Sequence, residues 1–436
     1  MANLLIKGAT ILTMEDLGDH AGIYPGGEIA VAGDAIVAAG PRGCVPEGFQ
    51  ADRVIDGAGM VAMPGFVNCH THTAMTLMRS YADDMPLMKW LSEKIWPLEE
   101  KLKREDIFWG AMLCCLEMIK SGTTTFADMY FEMDQVARAV EQSGMRACLS
   151  RGMIGVAPNA RKAIEESVNF VREWDGRAEG RIKTMFGPHA PYTCPPEYLE
   201  EVIGLAAQYG TGLHIHVAET KEEIREIKEN YGTTPVRHLD SIGLFEQPVL
   251  AAHCVHLERE EIEILSAKEV GVAHCPQSNM KLASGIAPVV SLLAAGVNVG
   301  LGTDGAASNN NLDMLEEMRS AALLQKVATA DPEALPSLEA LQMATRAGAR
   351  VLGLPDVGIL RAGLKADLIL VDFHRPHLYP RHDFAAHLVY AAQSADVDTV
   401  LINGKVVMEG RKVLTMDEEE VMRRAQEQAF RLVGKV

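Results

Sequence analysis

The sequence predicts a (β/α)₈ TIM-type barrel with a small β-sandwich domain built from both chain ends, and three observations predict it. Eight apolar, β-rich runs alternate with helical patterns through the middle of the chain. Each run starts apolar and finishes with a side chain capable of chemistry. The flanks, 1–60 and 363–436, read as short strands joined by glycine turns, with a closing helix from about 417 to 434. Strand–helix alternation repeated eight times argues for parallel strands closed into a barrel. The competing doubly wound sheet lacks the G-x-G-x-x-G or G-x-x-x-x-G-K-[ST] that its nucleotide-binding versions carry after the first strand.

The runs are 61–72 (VAMPGFVNCHTH), 123–130 (TTTFADMY), 146–153 (RACLSRGM), 182–192 (IKTMFGPHAPY), 212–219 (GLHIHVAE), 249–256 (VLAAHCVH), 271–279 (GVAHCPQSN) and 298–305 (NVGLGTDG). Their ends carry His70 and His72, Asp128, Arg151, His189, His216 with Glu219, His253 with His256, His274 with Asn279, and Asp304. Eight of the fourteen histidines lie in these runs. A lone buried histidine is usually a satisfied core residue, but eight on strands that share one rim are poorly explained that way. The C-terminal strand ends of a barrel converge on a single mouth, where active sites are built. The barrel is assigned to 61–362 and the composite end domain to 1–60 and 363–436. The link 73–122 is long for neighbouring strands, and its segment YADDMPLMKWLSEKIWPLEEKL reads as a lid over the mouth.

Composition narrows the function class. At 436 residues, 48% hydrophobic and 23% charged, the chain can bury a sizeable core. A net charge of −18 with no basic stripe argues against a nucleic-acid partner. No apolar run reaches the ~18 residues of a membrane span, and MANLLIKGATILTMED alternates like a strand instead of resembling a signal peptide. A cytoplasmic location without a membrane partner is the expectation. Eight cysteines without a CxxC pair read as reduced core residues. A homo-oligomer is compatible with such a chain, and no residue pattern points to one.

The strongest local signal is His70-Thr71-His72. Residues i and i+2 of a strand share a face, so both imidazoles can reach one ion. The fifth run offers His214 and His216 on one face, and His216 is the expected ligand because His214 sits one layer deeper. Glu219 follows just past the strand, where a turn can swing its carboxylate over the metal. Asp304 lies between Gly302 and Gly305, which allow close backbone approach; its carboxylate suits a metal ligand or proton acceptor, with a helix N-cap as the bland alternative. Three histidines and a carboxylate suit one catalytic Zn²⁺, or Fe²⁺, with a position left for water. A second metal would call for a lysine near the mouth, and Lys183 starts its run at the wrong end.

In this order, MPGFVNCHTH, SGTTTFADMY, HIHVAET, AAHCVH, SNMKLASGIAP, LGTDGAASNNNLDM and GLKADLILVD resemble the amidohydrolase superfamily over nearly the whole chain. Within it the chain is similar to deaminases of thioether-bearing adenine nucleosides, 5-methylthioadenosine and S-adenosylhomocysteine. The resemblance implies metal ligation by His70, His72, His216 and Asp304. It implies a proton-shuttling Glu219 and a His253 that supports the attacking hydroxide. It further implies that a nucleoside substrate touches Glu99, Arg151 and His189 besides Glu219 and Asp304, and loosely suggests Arg161. On the residues alone, Glu99 in LEEKLKRED reads as a solvated helix face, and Arg151 reads equally well as a surface ion pair. Trp90, Met85 and Met88 could cover a thioether or simply fill core. Triazine hydrolases, guanine deaminase and cytosine deaminases share the metal motifs. A dihydroorotase-type ring hydrolase would prefer two metals, and a non-enzymatic metal-binding barrel leaves Glu219, His253 and Asp304 without a purpose.

Overall fold

The computed structural model describes residues 3–15 and 22–435; residues 1, 2, 16–21 and 436 of the expected end domain lie outside them. All eight expected strands form one parallel sheet in chain order: Phe66–Thr71, Thr123–Tyr130, Arg146–Met153, Ile182–Pro188, Gly212–Val217, Val249–His253, Gly271–His274 and Asn298–Leu301. Most are buried along their whole length, as expected of strands with side chains inside the barrel and helices outside. The run at 61–72 divides at Gly65. Met60–Pro64 joins the end sheet, and Phe66–Thr71 opens the barrel.

The seam between the first and eighth strands is closed by specific bonds. Asp304 N donates to the carbonyl of His70 at 2.9 Å. The Asn68 amide donates to Thr303 Oγ1 at 2.7 Å and accepts from Thr303 N at 3.0 Å. Gly302 is required here: a Cβ at that position would lie 2.9 Å from both N and Cβ of His70. The glycine thus brings the last strand against the first ligand-bearing one.

Both chain ends build one mixed nine-stranded sheet. Leu368–Asp372 runs antiparallel between Met60–Pro64 and Val397–Ile402, and Leu4–Leu12 lies beyond Met60–Pro64. Its core is separate from the barrel's and includes Leu4, Ile6, Ile29, Val31, Leu368, Leu370 and Leu401. The buried Arg146–Asp367 pair, 2.6 Å from Nε to Oδ2, joins the base of the third strand to this sheet, and Asn403 accepts from the same guanidinium at 3.0 Å. The closing helix, Glu418–Val433, packs Ala425 and Leu432 against Leu77 of the turn Thr73–Met78 and is tied to barrel helix Arg104–Lys120 by the Arg431–Asp106 and Lys120–Glu418 pairs. Every cysteine is free, and all but Cys44 are buried. Among the described residues no helix is long and apolar enough to cross a membrane.

The seam generates a prediction. Asn68→Ala leaves Thr303 N without its acceptor in the interior and takes one donor from Thr303 Oγ1, and should destabilise the fold by about 1–3 kcal/mol. A urea or thermal unfolding midpoint indistinguishable from that of the parent would remove Asn68 from barrel closure.

Candidate active site

The C-terminal strand ends open into a cavity that has His72, His216, Glu219, His253 and Asp304 among its lining residues. Two groupings there could hold an ion: His70, His72 and Asp304, and His70, His216 and His253. Within each, the candidate ligand atoms lie within 4.8 Å of one another. Asp304 Oδ1 is 3.5 Å from His70 Nε2 and 3.3 Å from His72 Nε2. The His70 ring centroid is 4.8 Å from those of both His72 and His216.

Each ring is held by its other nitrogen. His72 Nδ1 donates to Met129 O at 2.6 Å, and His216 Nδ1 donates to His189 O at 2.7 Å. Both Nε2 atoms are therefore unprotonated in the neutral rings, with lone pairs available. Burial pushes the His70 imidazole down to about 4 and His216 well below its ordinary range, so both are neutral near pH 7. His70 Nε2 is fully buried and makes no hydrogen bond. An orphaned imidazole lone pair facing two further imidazoles and a carboxylate fits a divalent transition metal.

Asp304 is fixed on every side. Ser278 Oγ and Ser308 Oγ donate to Oδ2 at 2.6 and 3.0 Å, and Gly305 N donates to Oδ1 at 2.7 Å. Burial alone would raise this carboxyl, but the imidazoles of His70, His72 and His253 outweigh it and hold the group well below the usual carboxylate range. The N-cap alternative does not apply: Asp313 caps Met314–Thr329, and Gly305 precedes the short helix Ala306–Asn309. Asp304 adopts φ 61° and His253 φ 72°, left-handed conformations that cost a non-glycine residue about 1–3 kcal/mol and cluster at functional sites.

Burial raises the Glu219 carboxyl above its ordinary value. Its Oε2 lies 3.8 Å from His253 Nε2, and Oε1 accepts from Ser284 Oγ at 3.3 Å. His253 Nδ1 donates to Asn279 Oδ1 at 2.9 Å. Burial alone would lower His253, and the charges of Glu219 and Asp304 reverse that, so the imidazole is held above its ordinary value.

Other expected residues divide. Glu99 lines the cavity; the solvated-face reading fails because Trp96–Glu99 belongs to a lid segment folded over the mouth. Burial raises its carboxyl, and Tyr130 Oη donates to it at 2.7 Å. His189 lines the cavity, with Nδ1 2.9 Å from Thr193 Oγ1. Arg151 is not brought into the cavity. Its guanidinium donates to Glu166 Oε2 at 3.0 and 2.6 Å from Nε and Nη2, bonds the carbonyl of Gly152, and lines a separate depression. Arg161 is exposed and paired with Glu201. Trp90, Leu87, Leu91 and Trp96 form an apolar side of the cavity, whereas Met85 and Met88 do not line it.

Three further polar residues of the expected runs, Asp128, His256 and Asn279, serve as supports. Asp128 accepts from Thr71 Oγ1 and from both N and Oγ1 of Thr73, bracing the turn after His72. His256 Nε2 donates to Ser284 O at 2.7 Å, which fixes the loop that meets Glu219. Asn279 lies on the helix Pro276–Lys281 and not on the seventh strand. His274 is buried with neither ring nitrogen hydrogen-bonded. Tyr130, Ser278, Ser284 and Ser308 went unnoticed in the sequence, since isolated hydroxyls carry no spacing signal.

The amidohydrolase family matches residues 61–407. A Pelotomaculum thermopropionicum protein named 5-methylthioadenosine/S-adenosylhomocysteine deaminase is 74% identical over 435 residues, covering 100% of both chains. A protein of the same name from Desulforamulus reducens is 59% identical over 436 residues, again covering 100% of both. Among solved structures, a zinc-bound adenosine deaminase from Xanthomonas campestris is 36% identical, with a TM-score of 0.95 over 99% of each chain. The zinc complex of an Arthrobacter aurescens atrazine chlorohydrolase is 28% identical, with a TM-score of 0.90 over 98% of this chain and 100% of that one. The family match takes in the whole barrel and the end-sheet strands Leu368–Asp372 and Val397–Ile402, and the chain belongs to the amidohydrolase family.

Proposed function

We propose that the protein catalyses metal-dependent hydrolytic deamination of an adenine nucleoside thioether, with release of ammonia. The substrate would be 5-methylthioadenosine, giving 5-methylthioinosine, and/or S-adenosylhomocysteine, giving S-inosylhomocysteine. The observation that carries this reading is the pairing of a buried, raised Glu219 carboxyl with the histidine and aspartate cluster, inside a cavity with one apolar side.

His70, His72, His216 and Asp304 would hold one Zn²⁺, or Fe²⁺, and His253 lies against the same cluster. Such an ion supplies Lewis acidity that makes hydroxide accessible near neutral pH, with a water pKa of roughly 7. Glu219 takes one proton from the attacking water and delivers it to purine N1, which makes C6 electrophilic. The water oxygen bonds to C6. Glu219 then carries the second proton to the exocyclic nitrogen, the C6–N bond breaks, and ammonia leaves. A carboxyl raised by burial is a stronger base than a free carboxylate, which suits it to take up the proton and pass it on. His253, whose Nδ1 proton goes to Asn279, donates toward the attacking oxygen from Nε2 as the imidazolium, the form that Glu219 and Asp304 favour. Glu99 has one oxygen engaged by Tyr130, leaving the other to accept from ribose hydroxyls.

The two substrates differ in the arm. Leu87, Trp90, Leu91, Phe131 and Leu282 suit a methylthio group. The carboxylate of the homocysteine arm would call on Arg151, which is engaged by Glu166. The structure as it stands therefore favours the methylthio arm.

Glu219→Gln should retain metal and lose ~10²–10⁴-fold in turnover, the scale of general acid–base catalysis; single-turnover ammonia release at the parent rate would refute the shuttle. For Asp304→Asn we expect metal binding weakened by ~10-fold or more, since even outer-shell partners act on that scale. Metal content after dialysis against a chelator reads this directly, and full retention would exclude Asp304 from the ligand set. A panel of 5-methylthioadenosine, S-adenosylhomocysteine, adenosine, guanine, cytosine and a chlorotriazine tests the substrate class, with the methylthio nucleoside expected first. Glu166→Gln frees Arg151 from a partly exposed pair of about 1 kcal/mol, so the homocysteine substrate should gain roughly fivefold in kcat/KM relative to the methylthio one. No change in that ratio would leave Arg151 without a part in arm recognition.

A further inference from the structure

His70 is one end of a hydrogen-bond series that runs through the barrel interior. Its Nδ1 lies 2.8 Å from His214 Nε2, and His214 Nδ1 lies 3.1 Å from Ser150 Oγ. The Ser150 hydroxyl donates to the backbone carbonyl of Asp128 at 2.8 Å. His70, Ser150 and His214 come from the first, third and fifth strands, and all three are fully buried.

The far end of the series sets the direction of every proton in it. A serine hydroxyl has one proton, and this one is committed to Asp128 O, so Oγ can only accept from His214. His214 Nδ1 therefore carries the imidazole proton, and its Nε2 keeps a lone pair. That lone pair can only accept from His70 Nδ1. A neutral imidazole has a single N–H, which leaves His70 Nε2 bare. This is the buried nitrogen without a hydrogen-bond partner that lies 3.5 Å from Asp304 Oδ1.

We infer that His214 and Ser150 are positioning residues for the metal centre, holding His70 in the one tautomer and ring orientation that leaves Nε2 free for a divalent cation. The inference rests on the ligand set proposed above. Neither side chain lines the cavity, so neither can touch substrate. The contrast with the other histidines sharpens the assignment. His72 and His216 are oriented by the carbonyls of Met129 and His189, which no side-chain substitution removes. Of the three histidines in the proposed ligand set, His70 is the one whose orientation depends on side chains. A histidine that merely filled space at position 214 could be replaced by any apolar residue of similar volume. One that orients His70 can be replaced only by a group presenting an acceptor at the same place. A buried series with every N–H and O–H satisfied is also rigid, because any reversal orphans a donor.

The test measures Zn²⁺ affinity of the full chain by competition with a chromophoric chelator, after stripping the purified protein. His214→Leu should bind Zn²⁺ ~10–100-fold more weakly, the usual cost of losing an outer-shell partner. His214→Gln, whose Oε1 can accept at the position of the lost Nε2, should recover to within about threefold of the parent. Ser150→Ala should show an intermediate loss of roughly 2–10-fold, because His214 is then free to change tautomer. Unchanged affinity in a folded His214→Leu variant overturns the inference. Equal losses in the Leu and Gln variants also overturn it, since shape rather than hydrogen bonding would then be the cause. Should His214→Leu fail to fold, Ser150→Ala decides alone, and parent-like affinity there overturns it. The readout is metal binding, so a wrong substrate assignment leaves the result unaffected.

Discussion

The backbone N–H of Asp304 donates to the carbonyl of His70 across the seam between the last and first strands, and the rest of the site hangs on that contact. The same two residues face each other through Oδ1 and Nε2. Closing the barrel and assembling the cluster are therefore one event. Two conditions make the contact reachable. Gly302 removes the side chain that would collide with His70, and Asp304 accepts a left-handed backbone. The conformational cost is offset locally, because Ser278, Ser308 and Gly305 N all bond the carboxylate.

Above that floor the lid supplies what the strands lack. Barrel strand ends bring imidazoles and carboxylates but little apolar surface. The segment 87–99 adds Trp90, Leu91 and Trp96 together with Glu99, which Tyr130 meets from the second strand. The chemistry thus sits on rigid elements and the recognition on a connection, the usual division in barrels of this kind.

The barrel was legible because burial on both faces forces continuous apolar runs, and because histidines at strand ends have no bland explanation in such numbers. Strand periodicity placed His70, His72 and His216 on one rim, and the flanking glycines pointed to Asp304 at the end of the eighth run; the structure brings the four together. Glu99 was hidden, since a charged run around it reads as a solvated helix, and only the folded lid buries it. Arg151 was expected among the substrate contacts and instead turns to Glu166, a partner fifteen residues away on another element that periodicity cannot pair with it. The depth of His214 was legible from its position two residues before His216, whereas its bond to His70 was not. That bond crosses from the fifth strand to the first, a distance in sequence that no local pattern encodes.

The end sheet has a consequence for how the chain is made. Leu368–Asp372 is the strand that occupies the free edge of Met60–Pro64, and it leaves the ribosome about 300 residues later, a delay of roughly 15–60 s at ~5–20 residues/s. During that interval the barrel can assemble domain-like on the nascent chain while an apolar edge strand beside its entry point stays unpaired. Such an edge is a template for pairing with another chain. Completion of the C-terminal flank is therefore what removes an aggregation hazard during synthesis, and release of prematurely terminated chains would expose it.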